Sequence, residues 1–103
     1  MRNIRVSLVL LGSLLLVSCA EPRPKKNVNE AGKKVYLLNC VVCHGKDGKK
    51  GLGGAKDLTQ IESNKALQRE IILNGKGAMT PFKGRLSEEQ IEAVIEYVAG
   101  MKE

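Results

Sequence analysis

The chain has 103 residues, room for one domain, and its formal net charge of +6 comes from 17 basic and 11 acidic side chains. It has no Trp, two Tyr and one Phe, so bulky core material is scarce, and domains this small are often stabilised by a metal or a cofactor. Because the charge excess is modest and no basic run is interleaved with aromatic residues, these properties argue against a nucleic-acid-binding protein.

The first 18 residues have the pattern of a bacterial export signal. A short basic start containing Arg2 and Arg5 precedes an apolar stretch over residues 6–17. This stretch is shorter than the roughly 20 residues that cross a hydrocarbon core, but it suits the apolar region of a secretory signal peptide. We therefore predict that residues 1–18 form a signal peptide that is removed. Its removal leaves 15 basic and 11 acidic side chains, a net charge of +4.

The sequence LVSC over residues 16–19 resembles the lipobox of bacterial lipoproteins. That resemblance implies cleavage before Cys19, which becomes the lipid-carrying first residue of the mature protein and anchors it to a membrane. Ala20 after it favours the outer membrane. Residues 21–27 contain two prolines, several charges and no apolar side chain, so residues 19–28 are predicted to be a lipidated Cys and a flexible tether. The expected location is the cell envelope, facing the periplasm.

Three helices separated by glycine-rich segments are predicted in the remaining domain, residues 29–103. The first runs from about Asn29, a common N-cap residue type, to Cys43. A loop over residues 45–55 contains five glycines and is predicted to have no regular structure. The apolar residues of the first helix recur at helical spacing: Ala31, Val35, Leu38 and Val42.

The second helix is predicted from Ser63 or Asn64 to Asn74. Gly75 occupies the position where glycine commonly ends a helix. An irregular segment over residues 75–86 follows, with three glycines and one proline.

The last helix is predicted to begin at Ser87 and to end near Gly100. Gln90 lies three residues after Ser87, which is the spacing of a capping box. No stretch alternates apolar and polar residues as a half-buried strand does, so the mature domain is predicted to be all-α. The apolar stripe of this helix is Ile91, Val94, Ile95 and Val98.

The sequence CVVCH over residues 40–44 is the most specific chemical signal in the chain. Cys40 and Cys43 lie about one helical turn apart on one face, so each sulfur can bond to one vinyl group of a haem. His44 follows directly and can ligate the iron. This pattern is the signature of c-type haem attachment. It predicts one covalently bound haem c, attached through Cys40 and Cys43, with His44 as an axial ligand.

Three other interpretations of the two cysteines are weaker. A structural zinc site needs four ligands, and the mature chain offers only Cys40, Cys43 and His44 once Cys19 carries lipid. A thioredoxin-like redox pair follows a strand of a parallel sheet, which the sequence does not show. A disulfide within one helical turn would be strained.

The second axial ligand of the iron is predicted to be a methionine. His44 is the only histidine, and the methionine thioether is the usual alternative. Met1 is lost with the signal peptide. Met79 lies in the glycine-rich segment, close to Pro81, which favours extended backbone before it. Met79 is therefore the predicted ligand, and Met101, near the end of the last helix, is the alternative.

Over about residues 29–103 the chain resembles the class I mono-haem c-type cytochromes. In that family a first helix ends in CxxCH, a distal loop supplies a methionine, and a C-terminal helix crosses the first helix. Gly32 and Tyr36 match the family's contact pair on the first helix, and Val94 and Tyr97 match the pair on the last. The resemblance implies a cytochrome c fold with about three main helices around one haem.

The resemblance also implies a function. A haem iron with two protein ligands has no open position for substrate, so we expect a single-electron carrier that exchanges electrons with protein donors and acceptors and is not an enzyme. Two alternatives remain: a haem-bearing subunit of a larger oxidoreductase, and a ligand sensor with a labile methionine–iron bond.

Two further groups of side chains are assigned from their places in the loops. Thr80 separates Met79 from Pro81, where many relatives have proline directly after the ligand. Leu58, Phe82 and Leu86 are candidates for packing against the haem. The basic side chains of the two loops form either a docking rim for acidic partners or an ordinary solvated surface: Lys46, Lys49, Lys50, Lys56, Lys76, Lys83 and Arg85.

Overall fold

The structure is a computed structural model that describes residues 28–102 and, near the N-terminus, residues 12, 17 and 18. The predicted lipid attachment site, Cys19, and most of the predicted signal peptide and tether lie outside the described residues. The described part of the chain contains no strand and no helix long and apolar enough to cross a membrane. The all-α fold class is confirmed. Its elements are α1 (Val28–Asn39), α2 (Val41–His44), a short 3₁₀ turn (Leu52–Gly54), α3 (Lys65–Asn74) and α4 (Glu88–Ala99).

Helices α1 and α4 cross closely and hold most of the core. A Cβ built on Gly32 would lie 2.1 Å from the carbonyl oxygen of Ala93, so only glycine fits at this point of contact. Beside it the rings of Tyr36 and Tyr97 pack with centroids 5.3 Å apart. The predicted crossing of the two helices is confirmed. Its buried side chains are Val35, Tyr36, Ile91, Ala93, Val94 and Ile95.

The first predicted helix begins within one residue of its predicted start, but it is interrupted before its predicted end, and its predicted cap is wrong. Helix α1 already includes Val28, so Asn29 lies inside the helix and is not its cap. It ends at Asn39, and Cys40 lies in a turn before α2. The Asn39 side chain donates a hydrogen bond to the carbonyl oxygen of Val35 (2.9 Å), the kind of competition with backbone groups that loosens a helix.

The apolar stripe predicted along this helix is buried only in its first part. Leu38 and Val42 are 70% and 63% exposed. The reason is that α4 meets α1 along the line of Gly32, Val35 and Tyr36, which turns Leu38 outward.

The loop after α2 is more ordered than its glycine content predicts. Residues Leu52–Gly54 form a 3₁₀ turn, in which the amide of Ala55 donates to the carbonyl of Leu52 at 3.1 Å. Gly51 and Gly53 have positive φ angles of 67° and 63°, a backbone that glycine adopts without strain. The glycines that argued against regular structure are therefore the residues that permit this turn.

Helices α3 and α4 begin where the sequence predicted. The side chain of Asn64 accepts from the amide of Leu67 at 3.0 Å. Ser87 and Gln90 form the predicted capping box, each side chain bonded to the other residue's amide. The two helices are joined at the surface by ion pairs: Lys65 with Glu96, and Arg69 with Glu88 and Glu92.

Candidate functional site

The two cysteines of the motif lie at the junction between α1 and α2. Cys40 is half-buried and packs against the core formed by Val35, Tyr36 and Val94, whereas Cys43 is exposed, and no disulfide joins the two cysteines. Burial, with a smaller effect of Cys43, raises the pKa of the Cys40 thiol to about 11. Catalytic redox cysteines have lowered pKa values. The environment of Cys40 therefore argues against a thioredoxin-like thiol.

His44 is held in one orientation by the loop that follows it. Its Nδ1 lies 3.0 Å from the carbonyl oxygen of Lys56, so Nδ1 carries the hydrogen and donates it. The lone pair then lies on Nε2, which is free to bind a metal, and a backbone carbonyl on the other ring nitrogen is the usual arrangement for a metal-ligating histidine. The amide of Lys50 also donates to the His44 carbonyl oxygen at 2.9 Å.

Met79 lies in the segment between α3 and α4 and is half-buried. Its amide donates to the carbonyl of Lys76 at 3.0 Å, which closes a tight turn directly after α3. The segment then folds back on the helix, because the amide of Phe82 donates to the carbonyl of Ile72 at 2.9 Å. Met79 is thus held on a short turn fixed to α3.

The His44 loop (residues 45–64) and the Met79 loop (residues 75–87) lie close together. A Cβ built on Gly53 would lie 4.0 Å from Cβ of Ala78, the residue before Met79. Met101 packs against the α1–α4 core, where its Sδ would be 3.2 Å from a Cβ on Gly48 of the His44 loop. This core position favours Met79 over Met101 as the candidate ligand.

The side chains predicted to pack against a haem occupy the edge of the core. Leu58 and Leu86 are half-buried against the α1–α4 cluster. Phe82 is buried, with the Arg85 guanidinium 5.5 Å from its ring centroid. Contact of these side chains with a haem stays a prediction.

The segment between α2 and α4 buries far fewer side chains than α1 and α4 do, which leaves apolar side chains that a haem could cover. Residues 45–86 bury only the side chains of Thr59 and Phe82, and the other buried side chains lie on α1 and α4. A flat apolar group can pack against apolar side chains that the chain leaves uncovered, and two unpaired thiols, an oriented imidazole and a thioether match the donors that hold haem c. Exposed or half-buried apolar side chains in this range are Leu52, Leu58, Ile61, Leu67, Ile71, Ile72, Leu73, Met79 and Leu86.

Comparison with known proteins identifies the family. Residues 27–98 match the family described as cytochrome c oxidase, cbb3-type, subunit III. Cytochrome c6 of Leptolyngbya boryana is 45% identical over 74 residues, which cover 66% of this chain and 86% of the relative. Cytochrome c6 of Nostoc sp. strain PCC 7120 is 38% identical over 100 residues, covering 91% and 89%. The chain is a class I c-type cytochrome.

Solved structures agree with this assignment. The KustC0563 c-type cytochrome matches with a TM-score of 0.62 and 33% identity over 70% of this chain and 98% of its own. Cytochrome c6 from the diatom Phaeodactylum tricornutum matches with a TM-score of 0.57 and 28% identity, over 70% and 91%. The family consists of electron carriers with one covalent haem c, so this cytochrome carries electrons and is not an enzyme.

Sequence reasoning missed two contacts at this site. The acceptor for His44 is the backbone carbonyl of Lys56, and Tyr36 donates its hydroxyl to the carbonyl of Gly45 at 2.5 Å. Every residue type has a backbone carbonyl, so nothing in the sequence indicated Lys56 as the partner of His44. A hydrogen-bond partner for Tyr36 could have been expected, because a buried tyrosine hydroxyl is nearly always hydrogen-bonded.

Replacing Gly75 with alanine should destabilise the Met79 turn. Gly75 has φ +72°, and a Cβ there would lie 2.5 Å from the Met79 carbonyl oxygen. We expect a loss of about 1–3 kcal/mol in the free energy of unfolding, measured by denaturant titration. Gly77→Ala is the control, because Gly77 also has positive φ but a Cβ there meets no atom within 4 Å. Equal losses in the two variants would show that crowding of the Met79 turn contributes nothing.

Asp57 makes the stability of the His44 loop depend on pH. Hydrogen bonds from the hydroxyl and the amide of Thr59, at 2.6 and 2.9 Å, lower the pKa of the exposed Asp57 carboxyl. Its stabilising contribution is therefore present above the unfolded pKa, about 3.9, and is lost as the pH falls through the lower folded value. Asp57→Asn should reduce the melting temperature at neutral pH, and the difference should disappear in strong acid. A difference that persists there would contradict this assignment.

Proposed function

We propose that this cytochrome carries single electrons on one haem c attached through Cys40 and Cys43, with His44 and Met79 as the axial ligands. When bound, the haem supplies a one-electron change between ferrous and ferric iron. The observation that supports the proposal most strongly is the hydrogen bond from His44 Nδ1 to the carbonyl oxygen of Lys56. It fixes the tautomer that leaves Nε2 as a ligand and holds the ring in one direction.

The proposed ligands fit an electron carrier better than a catalyst. If His44 and Met79 both held the iron of a bound haem, they would leave it no position for a substrate. The thioether of Met79 favours ferrous iron and so raises the reduction potential.

The direct test of the proposal is the mass and colour of the purified protein. We expect a coloured protein whose mass exceeds that of the polypeptide, with any acyl chains, by one haem. In Cys40→Ala/Cys43→Ala the added mass should disappear. A colourless wild-type protein with the mass of the bare polypeptide would contradict the proposal.

We propose that the basic side chains of the two loops steer acidic redox partners. Lys46, Lys49, Lys50, Lys56, Lys76, Lys83 and Arg85 are all exposed. Attraction of this kind weakens with added salt, since exposed charges are screened within about 10 Å at 0.1 M ionic strength.

The steering test compares two double variants of equal charge. Oxidation of the reduced protein by ferricyanide, an anionic probe, should slow as salt is added. Lys76→Gln/Lys83→Gln should weaken this salt dependence more than Lys33→Gln/Lys34→Gln, which removes the same charge from the exposed face of α1. Equal effects would show that only net charge matters.

We also propose that residues 1–18 are cleaved, that Cys19 carries lipid, and that residues 19–28 tether a domain over residues 29–103 to a membrane of the cell envelope. The lipobox pattern at 16–19 supports the proposal, and Ala20 favours the outer membrane. Mass spectrometry of the N-terminal peptide should find it beginning at Cys19 with acyl chains. An unmodified peptide beginning elsewhere would contradict the proposal.

The family match supports one alternative function. The profile matched by residues 27–98 is described as a subunit of an oxidase. A haem-bearing subunit of a larger oxidoreductase would co-purify with other chains after mild detergent extraction, whereas a free carrier would migrate alone.

A further inference from the structure

Tyr36 connects the haem-attachment turn to the most buried part of the molecule. Its side chain is fully buried between α1 and α4, with its ring against Tyr97. Its hydroxyl reaches out of this core and donates to the carbonyl oxygen of Gly45 at 2.5 Å. Gly45 directly follows His44, so the bond fixes the backbone one residue after the one that carries the imidazole.

Helix α2 cannot hold its own orientation. It has four residues, and helices of this length are unstable alone because nucleation is costly. Its internal bonds are those from the amides of His44 and Gly45 to the carbonyls of Cys40 and Val41. The direction of His44 must therefore be set by contacts with the rest of the molecule.

The external hydrogen bonds to this turn come from two sources. The Lys50 amide and the Lys56 carbonyl both belong to the segment between α2 and α3, residues 45–64, which buries few side chains. The Tyr36 hydroxyl comes from the α1–α4 core, the best-packed region of the described chain. The Tyr36 hydroxyl also holds the start of the loop after α2. The Gly45 carbonyl to which it donates accepts a second hydrogen bond, from the amide of Gly48 at 3.2 Å.

We propose that Tyr36 is a positioning residue for His44, its hydroxyl holding the end of α2 against the α1–α4 core. The inference rests on the proposed role of His44 as axial ligand. A phenylalanine could make the same ring contact with Tyr97, so the hydroxyl serves the bond to Gly45. A tyrosine hydroxyl is protonated and able to donate at neutral pH, and burial raises the pKa of Tyr36 further, to about 12.

The test compares Tyr36→Phe with Tyr97→Phe in the haem-loaded protein. Both variants keep their rings, and the Tyr97 hydroxyl makes no hydrogen bond within the described residues. Tyr36→Phe should speed hydrogen exchange at the amides of Gly48 and Lys50 about tenfold, the effect of one lost hydrogen bond. It should also shift the His44 ring-proton resonances of the ferric protein. Tyr97→Phe should do neither.

The outcomes separate this inference from the proposed function. If Tyr36→Phe leaves the His44 resonances and the hydrogen exchange of the Gly48 and Lys50 amides unchanged, the positioning role alone is overturned. This holds even if the melting temperature falls. A wild-type protein with no iron-shifted His44 signal would contradict the proposed ligation itself. A second measurement needs no variant: in the wild type, the Tyr36 hydroxyl proton should be visible by NMR as a slowly exchanging signal. Its rapid exchange with water would also overturn the inference.

Discussion

Substitution of Gly32 with alanine should lower the free energy of unfolding by about 3 kcal/mol or more, the upper range for overpacked cores. The added Cβ would lie 2.1 Å from the Ala93 carbonyl oxygen and 2.8 Å from Cβ of Tyr97. Neither atom is the end of a flexible side chain, so α1 and α4 must separate to admit it. Thermal unfolding should show a fall of roughly 4–8 °C per kcal/mol for a domain of this size.

Gly100→Ala is the matched control for this prediction. Gly100 follows α4 with φ −71°, and its added Cβ would come no closer than 3.3 Å to its neighbours, at the Tyr97 carbonyl oxygen. It should change the melting temperature little. If Gly32→Ala were equally mild, the close approach of the two helices would be disproved.

Replacing Met79 with alanine should have the largest effect on the redox properties. Loss of the thioether should abolish the charge-transfer band between methionine sulfur and ferric iron. It should also lower the reduction potential, within the roughly 0.8 V range that axial ligands span. The measurement is a redox titration followed by absorption spectroscopy, on protein shown by mass to retain its haem.

Met101→Ala distinguishes a ligand from a core residue. Met101 packs beside Leu58 and Gly48, so its truncation should cost about 2 kcal/mol of stability while the charge-transfer band persists. If the band were lost in Met101→Ala and retained in Met79→Ala, the assignment of the axial ligand would be reversed.

The parts of the fold that the sequence predicted well are those set by local chemistry. Asn64 and the Ser87–Gln90 pair cap α3 and α4 through bonds that span only three residues, so residue type and spacing were sufficient. The crossing of α1 and α4 was instead implied by the family resemblance, and the structure shows that it needs a residue without Cβ at Gly32.

The parts that were missed depend on distant partners or on backbone groups. At the break before Cys40, the Asn39 side chain donates a hydrogen bond to the backbone carbonyl of Val35. Asparagine is also common inside intact helices, so its presence did not predict the break. The exposure of Leu38 follows from where α4 lies, which helical spacing alone does not determine. The thiols and the imidazole of the site were identified from their motif, but the carbonyl of Lys56 could belong to any residue type.

The concentration of buried side chains between α1 and α4 has a consequence for how the chain opens. The helix pair has its own core, whereas the segment over residues 45–86 buries only the side chains of Thr59 and Phe82. Local opening free energies follow such differences in burial. Before haem is attached, the segment should therefore detach from the helix pair as a separate cooperative unit. That opening would leave the exposed Cys43, a proposed attachment residue, accessible to haem while the α1–α4 pair stays folded.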